Sequence, residues 1–261
     1  MYVAGLDIGA RSTEAVVLGR DDEVEYRVVW TGVNGRKAAR ESLERCLGTV
    51  GIRVEDLACI VATGYGRHHA PFDARPVTEI TCHGTGAHFL LPDAKTVIDI
   101  GGQDSKAIRL DGNGNAVKFA MNDKCAAGSG LFLERMAQVL EVEVDELGDL
   151  GSEAQKQVTL SSMCVVFAES EVVSLLAQGH RKEDIIRGIH FAIAQRVIGL
   201  ARRVSMQPPV VFTGGGAKNK GLVAALKALC GCDIYVPEEP QIVGALGAAV
   251  LGRRYAEGEQ R

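Results

Sequence analysis

The chain has 261 residues, of which 46% are hydrophobic and 5% aromatic, with 31 glycines and a formal net charge of −4. This length is enough for one large or two medium domains, and we expect two. The composition is typical of an α/β protein rich in small residues, and the acidic balance excludes a general basic field for nucleic acid.

The N-terminus carries no recognisable targeting segment, because residues 1–7 run directly into a strand. No stretch approaches about 18 uncharged apolar residues, so we expect a cytoplasmic protein without a membrane partner. The seven cysteines are an odd number and lack the dense spacing of a secreted disulfide scaffold. Reduced thiols or metal ligands are therefore favoured over disulfide bridges.

The first predicted element is a β-hairpin, with a buried strand at 3–9 and a return strand at 14–18. Residues 97–110 align with residues 5–18 without a gap, and five positions are identical. The identical pairs are Asp7/Asp99, Ile8/Ile100, Gly9/Gly101, Ala15/Ala107 and Leu18/Leu110. This repeat predicts two domains that each open with the same hairpin. Two such hairpins can offer backbone N–H groups to phosphates, and the paired aspartates can hold a hydrated Mg²⁺.

Between the hairpins, helical and extended patterns alternate. An amphipathic helix is predicted at 37–48 and a further helix at 81–90, and a strand that begins at Ile60 ends in a glycine turn. Whether Thr63–Gly66 contacts a ligand or only turns the chain stays open. The histidines at 68, 69, 83 and 88 lack a metal-ligand spacing, and we expect no metal there.

A polar turn at 121–130 precedes apolar residues with helical spacing, namely Phe132, Leu133, Met136 and Leu140. We therefore expect a helix that starts close to Cys125 and places its thiol at the N-terminus. A second stretch repeats this arrangement, with Ser161 or Ser162 as the N-cap and Cys164 in or near the first turn. Free N–H groups at a helix N-terminus lower a thiol pKa and favour a bound anion. Two thiols are half of a four-thiolate site, which a two-fold dimer would complete, but ordinary buried cysteines remain the alternative.

The other cysteines are not predicted to form a site. Cys46, Cys59 and Cys82 lie in apolar or helical contexts and are interpreted as ordinary buried thiols. Cys230 and Cys232 are separated by one residue ahead of a strand, and the sequence favours no functional role for them.

The C-terminal half contains a second glycine-rich turn. Residues 210–213 form a strand that runs into Gly214, Gly215 and Gly216 and then into a helix at 222–229. Such bare backbone allows a flat or phosphorylated ligand to approach closely. The acidic stretch 141–151 is interpreted as a solvated helix and loop, 182–203 as a long helix, and 240–251 as a small-residue helix suited to close packing.

The order of these motifs resembles the actin, sugar kinase and heat-shock chaperone superfamily of ATP-binding proteins. Four stretches resemble more specifically the activator component of 2-hydroxyacyl-CoA dehydratases, a BadF-BadG-type group that includes ATPase subunits of benzoyl-CoA reductase. These stretches are Ala62–Arg67, Ile98–Asp104, Met121–Gly128 and Val166–Glu171. The resemblance covers essentially the whole chain. It implies an α/β fold of two duplicated actin-like (ribonuclease H-like) domains flanking a nucleotide cleft.

The resemblance also implies the cofactors. A homodimer would share one [4Fe–4S] cluster held by Cys125 and Cys164 of each subunit, and ATP or ADP with Mg²⁺ would occupy the cleft. Two loops would contact the phosphates and a third the adenosine. The residues implied are Asp7, Gly9, Ala10, Arg11, Ser12 and Thr13, then Asp99, Gly101 and Gly102, then Gly214, Gly215, Gly216 and Asn219. Relatives more often carry serine at the position of Ala10, so a phosphate-contacting hydroxyl is expected from Ser12 or Thr13.

The family's activity couples ATP hydrolysis to low-potential electron transfer into a partner iron–sulfur enzyme, a dehydratase or related reductase. A ferredoxin- or flavodoxin-type donor and anaerobic life are implied as well. Gln103 or Asp104 is the candidate for orienting the attacking water, by analogy with other NTPases. Three alternatives stay open: a small-molecule kinase, a regulatory ATPase without a metal, and a structural zinc at the dimer axis.

The predicted boundaries follow from the repeat. The first actin-like domain is placed at 1–94, with a C-terminal helix at about 242–261 packing on it, and the second domain at 95–241 carries the cluster cysteines.

Overall fold

A computed structural model describes residues 1–156, 158–162 and 164–258 of the chain. These residues divide into two compact units. Unit 1 consists of Met1–Val97, Leu110–Val117 and the segment from Pro237, and unit 2 consists of Ile98–Arg109 and Lys118–Val236. The last three residues of the helical range predicted to end at 261 lie outside the described part. The domain boundaries at 94 and 241 stay predictions.

Unit 1 is built on a mixed sheet. Its strands are β1 (Tyr2–Ile8), β2 (Ser12–Leu18), β3 (Val24–Trp30), β4 (Leu57–Thr63) and β5 (Arg75–Pro76), and its helices are α1 (Gly35–Val50), α2 (Glu79–Leu90) and α8 (Val243–Ala256). The strand order is β3-β2-β1-β4-β5. The first three strands pair in antiparallel fashion, whereas β4 runs parallel to β1 and β5 parallel to β4.

The core of unit 1 has two layers because successive residues of a strand point to opposite faces of the sheet. Leu6 and Ile8 of β1 pack with Leu43 of α1. On the other face, Val3 packs with Leu246 of α8. The first sheet therefore lies between α1 and α8.

Helix α8 packs as closely as its small residues predict. A Cβ atom built on Gly247 would lie 1.8 Å from the carbonyl oxygen of Cys82 in α2, so no larger side chain fits at that crossing. Ala245 and Ala249 of the same helix are fully buried. The predicted close packing is confirmed.

Most of the second sheet lies in unit 2. Its strands are β6 (Thr96–Ile100), β7 (Ser105–Leu110), β8 (Ala116–Asn122), β9 (Val210–Thr213) and β10 (Ile234–Tyr235), in the order β10-β9-β6-β7-β8. The helices of unit 2 are α3 (Gly130–Leu140), α4 (Leu147–Ser152), α5 (Val165–Ala177), α6 (Lys182–Arg203) and α7 (Lys220–Cys230). The strand order repeats that of the first sheet, with β6 in the place of β1 and β9 in the place of β4. The repeat found in the hairpins thus extends through both sheets.

The apolar stripe predicted after Cys125 forms part of the unit 2 core. Phe132, Met136 and Leu140 of α3 are fully buried, and they pack in one cluster with Ile98 of β6 and Phe212 of β9. The long helix predicted at 182–203 is observed as α6 over those residues.

Some elements differ from the prediction. The edge strands β3 and β8 were not predicted, and each exposes large apolar side chains, including Trp30 and Phe119. The acidic stretch 141–151 is only partly solvated, because Leu147 of α4 is buried and α4 packs on α6 and α7. Within the described residues, no helix combines the length and the apolar character needed to span a bilayer.

Candidate functional site

Each predicted phosphate loop is closed by the same backbone hydrogen bond. Loop 1 (residues 9–11) joins β1 to β2, and loop 2 (residues 101–104) joins β6 to β7. The Gly9 N–H donates to the Ser12 carbonyl at 3.1 Å, and the Gly101 N–H donates to the Asp104 carbonyl at 3.0 Å. Residues 9–11 and 101–103 are all at least partly exposed. The turn that the repeat predicts is therefore present in both units.

The two hydroxyls predicted for loop 1 have different surroundings. Thr13 is buried, and its Oγ1 lies 2.8 Å from Oγ1 of Thr31. The Thr31 hydroxyl in turn donates to the Gly9 carbonyl at 2.9 Å. Ser12 is partly exposed. Of the two candidates, Ser12 is the better placed to meet a ligand.

Ala10 and Arg11 complete loop 1. The guanidinium carbon of Arg11 lies 4.4 Å from the centre of the Trp30 ring, within the range of a cation–π interaction. The Arg11 carbonyl accepts the Thr31 N–H at 2.9 Å. Loop 1 is thus fastened to the end of β3 through both the side chain and the backbone of Arg11.

Asp7, the predicted Mg²⁺-binding aspartate of unit 1, is buried at the end of β1. It lies directly opposite Glu14 in the β1–β2 ladder, and both residues are less than a tenth exposed. Nε2 of His83 lies 3.9 Å from Oδ2 of Asp7. The unit 1 hairpin therefore places a second carboxylate opposite the aspartate that lies near His83.

Asp99, the counterpart of Asp7 in unit 2, belongs to a buried charged triad. Nζ of Lys106 donates to Oδ2 of Asp99 at 3.1 Å and to Oδ1 of Asp104 at 2.8 Å. The Thr213 hydroxyl donates to Oδ1 of Asp99 at 2.9 Å. Gln103, in contrast, is exposed. Of the two residues predicted to orient water, Asp104 is held inside the protein and Gln103 faces solvent.

Sequence reasoning missed Lys106. Its position aligns with Glu14 in the repeat, so the two hairpins carry opposite charges at equivalent places. A lysine next to the apolar residues Ala107 and Ile108 of a predicted strand was the available signal, since a buried lysine requires a carboxylate partner.

A glycine turn follows the central parallel strand of each unit. Gly64 follows β4 with φ +80°, and Gly214 follows β9 with φ +81°. A Cβ atom on Gly64 would lie 2.5 Å from Oδ1 of Asp7, and one on Gly214 would lie 2.7 Å from Oδ1 of Asp99. The turn Thr63–Gly66 is the unit 1 counterpart of Thr213–Gly216, and each turn packs on the aspartate of its own unit. Whether Thr63–Gly66 contacts a ligand stays open.

The remaining predicted adenosine-side residues lead into α7. Gly216 is buried against Ile100, whereas Gly215 is exposed. Asn219 is the N-cap of α7, and its Oδ1 accepts the Leu222 N–H at 2.9 Å. The turn Gly214–Gly216 and this helix end are therefore contiguous.

The expectation that Cys125 sits at a helix N-terminus is wrong. Helix α3 begins at Gly130, and Cys125 lies in the preceding loop. The Asn122 side-chain amide fixes this loop by donating to the carbonyls of Cys125 at 2.8 Å and Ala127 at 2.9 Å. The Cys125 thiol is exposed.

The N–H groups at the start of α3 bind loop 2 instead of a thiol. The Gly130 N–H donates to the Gly101 carbonyl and the Leu131 N–H to the Gly102 carbonyl, both at 2.9 Å. Because a helix leaves its first N–H groups without intrahelical partners, these carbonyls satisfy them. Loop 2 is thus attached directly to the helix that follows Cys125.

Cys164 does lie at a helix N-terminus, as the N-cap of α5. Its carbonyl accepts the Ala168 N–H at 2.8 Å, and its thiol is exposed. Neither Ser161 nor Ser162 is the cap, because α5 begins at Val165. The carboxylate of Glu171 accepts both of their N–H groups at 2.8 Å. Burial opposes ionisation of Glu171, but the hydrogen bonds from the two serines hold its pKa below the usual range.

The helices that follow Cys125 and Cys164 in the chain, α3 and α5, are joined by a bidentate ion pair. Nε and Nη2 of Arg135 in α3 contact Oε1 and Oε2 of Glu169 in α5 at 2.5 and 3.1 Å. This pair links the segment that follows Cys125 to the segment that begins at Cys164.

The other cysteines are more enclosed. Cys46 and Cys82 are buried, and burial raises the pKa of each thiol to about 12. Cys59 is half-buried, and burial likewise raises its pKa. Across the described part of the chain, no three His, Cys, Asp or Glu side chains converge as a metal-binding group.

The BadF/BadG/BcrA/BcrD ATPase family model matches residues 4–252. The chain belongs to this ATPase family. It is 45% identical over 258 residues to the activator of lactoyl-CoA dehydratase of Anaerotignum propionicum, covering 98% of this chain and 99% of the relative. The predicted family and the predicted ATPase activity are therefore confirmed.

Two solved structures resemble this ATPase over nearly its whole length. The (R)-2-hydroxyglutaryl-CoA dehydratase component A of Acidaminococcus fermentans matches with a TM-score of 0.94 and 43% identity, over 98% of this chain and 99% of the other. The activator of 2-hydroxyisocaproyl-CoA dehydratase from Clostridium difficile, solved with bound ADPNP, matches with a TM-score of 0.92 and 42% identity, over 98% and 96%. A ROK family glucokinase from Streptomyces griseus, at 14% identity and a TM-score of 0.59, shares the fold alone. The predicted α/β fold of the actin and sugar kinase type is confirmed.

Proposed function

We propose that this ATPase activates a 2-hydroxyacyl-CoA dehydratase or a related reductase by coupling ATP hydrolysis to the delivery of a low-potential electron. The observation that carries the proposal is the attachment of loop 2 to the start of α3, directly behind the Cys125 loop. A change in the backbone of loop 2 on ATP binding or hydrolysis would pull on the helix next to an exposed thiol.

The donor set of the chain fits one [4Fe–4S] cluster shared by a homodimer. Such a cluster is held by four cysteine thiolates. Among the described residues, Cys125 and Cys164 are the two exposed cysteines, and both lie in unit 2. Two copies of the chain supply the four thiolates, and a bound cluster would supply the one-electron chemistry. The resemblance implied the same two residues.

The surface beside Cys164 supports the homodimer. Val166, Phe167 and Val173 of α5 are each more than half exposed. This helix follows directly after Cys164, the proposed cluster ligand. Large apolar side chains grouped on one helix mark an interaction surface. A second copy of this helix is the partner that brings two more thiols to the same place.

In the nucleotide site, loops 1 and 2 would donate N–H groups to the phosphates of ATP, and Gly214–Gly216 would lie beside the adenosine. Asp7 is the proposed carboxylate for hydrated Mg²⁺, because Asp99 is already bonded to Nζ of Lys106. Gln103 is the proposed water-orienting side chain, since Asp104 is bound to the same lysine. The position of ATP relative to both domains stays a prediction.

The Arg135–Glu169 pair extends the proposed coupling to the second cysteine. Loop 2 is bonded to α3, α3 is bonded to α5, and α5 begins at Cys164. A path of contacts from loop 2 to Cys164 shows proximity, and coupling along it is tested by perturbing both ends of the path. We expect Arg135→Lys, which cannot form the bidentate pair, to weaken the effect of ATP on the cluster while leaving ATP hydrolysis in place.

The test is the iron, acid-labile sulfide and zinc content of the anaerobically purified protein, with visible spectra recorded with and without ATP. We expect about four iron and four sulfide per dimer, bleaching on reduction, and a spectrum that changes with nucleotide. Cys125→Ser and Cys164→Ser should each abolish iron binding, whereas Cys59→Ser should retain it. A colourless dimer that holds zinc, or full iron content in Cys125→Ser, would contradict the proposal.

A further inference from the structure

The end of α7 brings two thiols together outside the sites described above. Sγ of Cys232 lies 3.3 Å from Sγ of Cys230, and both residues are half-buried. The residue between them, Gly231, has φ +67° and ends the helix. This left-handed turn, which glycine adopts without strain, places both cysteine side chains on the same side of the chain.

The backbone holds Cys230 beside its neighbour. Its Sγ accepts the Cys232 N–H at 3.4 Å, and its S–H is within reach of the carbonyls of Cys232 at 3.1 Å and Lys227 at 3.5 Å. Closing a disulfide requires the two sulfurs to approach to about 2.0 Å. A modest rotation of the side chains supplies this change, because the sulfurs are already in contact.

We propose that Cys230 and Cys232 form a redox-active dithiol that undergoes exchange with low-molecular-weight disulfides. One thiolate attacks the external disulfide, forms a mixed disulfide and releases one thiol. The second thiolate then attacks the sulfur of the first cysteine, closes the Cys230–Cys232 bond and releases a second thiol. The external disulfide gains two electrons, and the two protons of the dithiol end on the released thiols.

The surroundings predict a slow reaction at neutral pH that accelerates as the pH rises. Burial, together with the hydrogen bond with Cys230, raises the pKa of Cys232 to about 11. Because the thiolate is the reacting form, each step of exchange speeds up when more of the thiol is ionised. The dithiol should therefore stay reduced during brief exposure to an external disulfide and become oxidised during prolonged exposure.

The dithiol is separate from the proposed nucleotide site. Asn219 caps one end of α7 and Cys230 is the last residue at the other, and a helix of 11 residues is about 16 Å long. We therefore expect Cys230→Ser to leave ATP hydrolysis unchanged. This independence separates the dithiol from the electron-transfer proposal, so that either can fail alone.

The experiment equilibrates the anaerobic holoprotein with oxidised and reduced glutathione, blocks free thiols and maps tryptic peptides by mass. Peptide 228–253 contains Cys230 and Cys232 and no other cysteine, and no lysine or arginine precedes Arg253 within it. In oxidising buffer we expect this peptide to resist alkylation and to weigh about 2 Da less than its unblocked reduced form. Reductant should restore two alkylation sites, and the conversion should be faster at higher pH.

Single-cysteine variants give the control. In Cys230→Ser and Cys232→Ser the remaining thiol should stay available to alkylation or carry glutathione, with no internal bond. Two free thiols in peptide 228–253 after prolonged equilibration in oxidising buffer would overturn the proposal. A stable glutathione adduct on the wild-type peptide would also overturn it, because the neighbouring thiol should resolve that adduct.

Discussion

Replacing Lys106 by methionine is expected to destabilise unit 2 and to disable loop 2, because the change leaves two buried carboxylates without their shared cation. Lys106 is 2% exposed, and its Nζ bonds to Asp99 at 3.1 Å and to Asp104 at 2.8 Å. Methionine fills a similar volume, so the lost charge dominates the effect.

The magnitude follows from the burial of all three groups. Removing one partner of a buried ion pair costs about 3–5 kcal/mol, because the charge that remains is uncompensated. Asp99 and Asp104 are 2% and 3% exposed, so water cannot take the place of the ammonium group without rearrangement. We expect a loss near the upper end of that range. Adding Asp104→Asn to Lys106→Met should recover part of it, since one of the two buried carboxylate charges is then removed.

The measurement is chemical unfolding of the wild type, the single variant and the double variant, combined with steady-state ATP hydrolysis. Lys118→Met on the neighbouring strand β8 is the matched control, because Lys118 is exposed and a surface change of this kind is worth about 0.5 kcal/mol or less. If Lys106→Met unfolds at the same denaturant concentration as Lys118→Met, the triad does not stabilise loop 2 and the reasoning fails.

Three further outcomes follow from individual side chains. Burial lowers the pKa of His190 to about 4, below the unfolded value of 6.5, so the unfolded chain binds more protons between these values. The free energy of unfolding should then fall as the pH drops from about 6.5 to about 4, by roughly 3 kcal/mol at about 1.4 kcal/mol per pH unit. His190→Gln should flatten this pH dependence, whereas His69→Gln, at an exposed position, should not. Glu171→Gln should free the Ser161 and Ser162 amides for faster hydrogen exchange, because a neutral amide accepts more weakly than a carboxylate; exposed Glu153→Gln is the control, and unchanged exchange in Glu171→Gln would contradict this assignment. In the cluster-free protein, Cys125 and Cys164 should react with iodoacetamide at about pH 8 long before Cys46 and Cys82, whose thiols are buried; equal rates would refute the burial argument.

The sequence was most informative where a periodic pattern coincided with burial. The buried first strand of the hairpin, the apolar stripe of α3 and the length of α6 were all predictable, because apolar runs and hydrophobic periods directly reflect packing. Strands β3 and β8 were harder to predict, since each lies at a sheet edge and keeps apolar side chains such as Trp30 and Phe119 at the surface. What covers such a strand depends on partners that a single sequence does not contain.

The candidate site was predictable only in part, for a related reason. The repeat placed Asp7 and Asp99 at equivalent positions, but it could not predict that one lies opposite Glu14 and the other binds Lys106. Which charges pair depends on which side chains point inward together. The presence of a charged residue in a strand does not reveal its partner. The same limit applies to Thr13, whose hydroxyl is bonded to Thr31, a residue 18 positions away.

Cys125 gives the clearest case of a residue selected on an incorrect physical argument. The helix-terminus argument requires the N–H groups of α3 to face the thiol, yet those groups donate to the carbonyls of Gly101 and Gly102. The start of α3 therefore gives no reason to select Cys125. What the α3 terminus does provide is two hydrogen bonds between loop 2 and the chain just after Cys125, and in the proposed mechanism this connection would transmit displacement, not charge. The proposed effect of ATP on the cysteines is for that reason mechanical in origin, and substitutions that loosen the start of α3 should weaken it without removing the thiol.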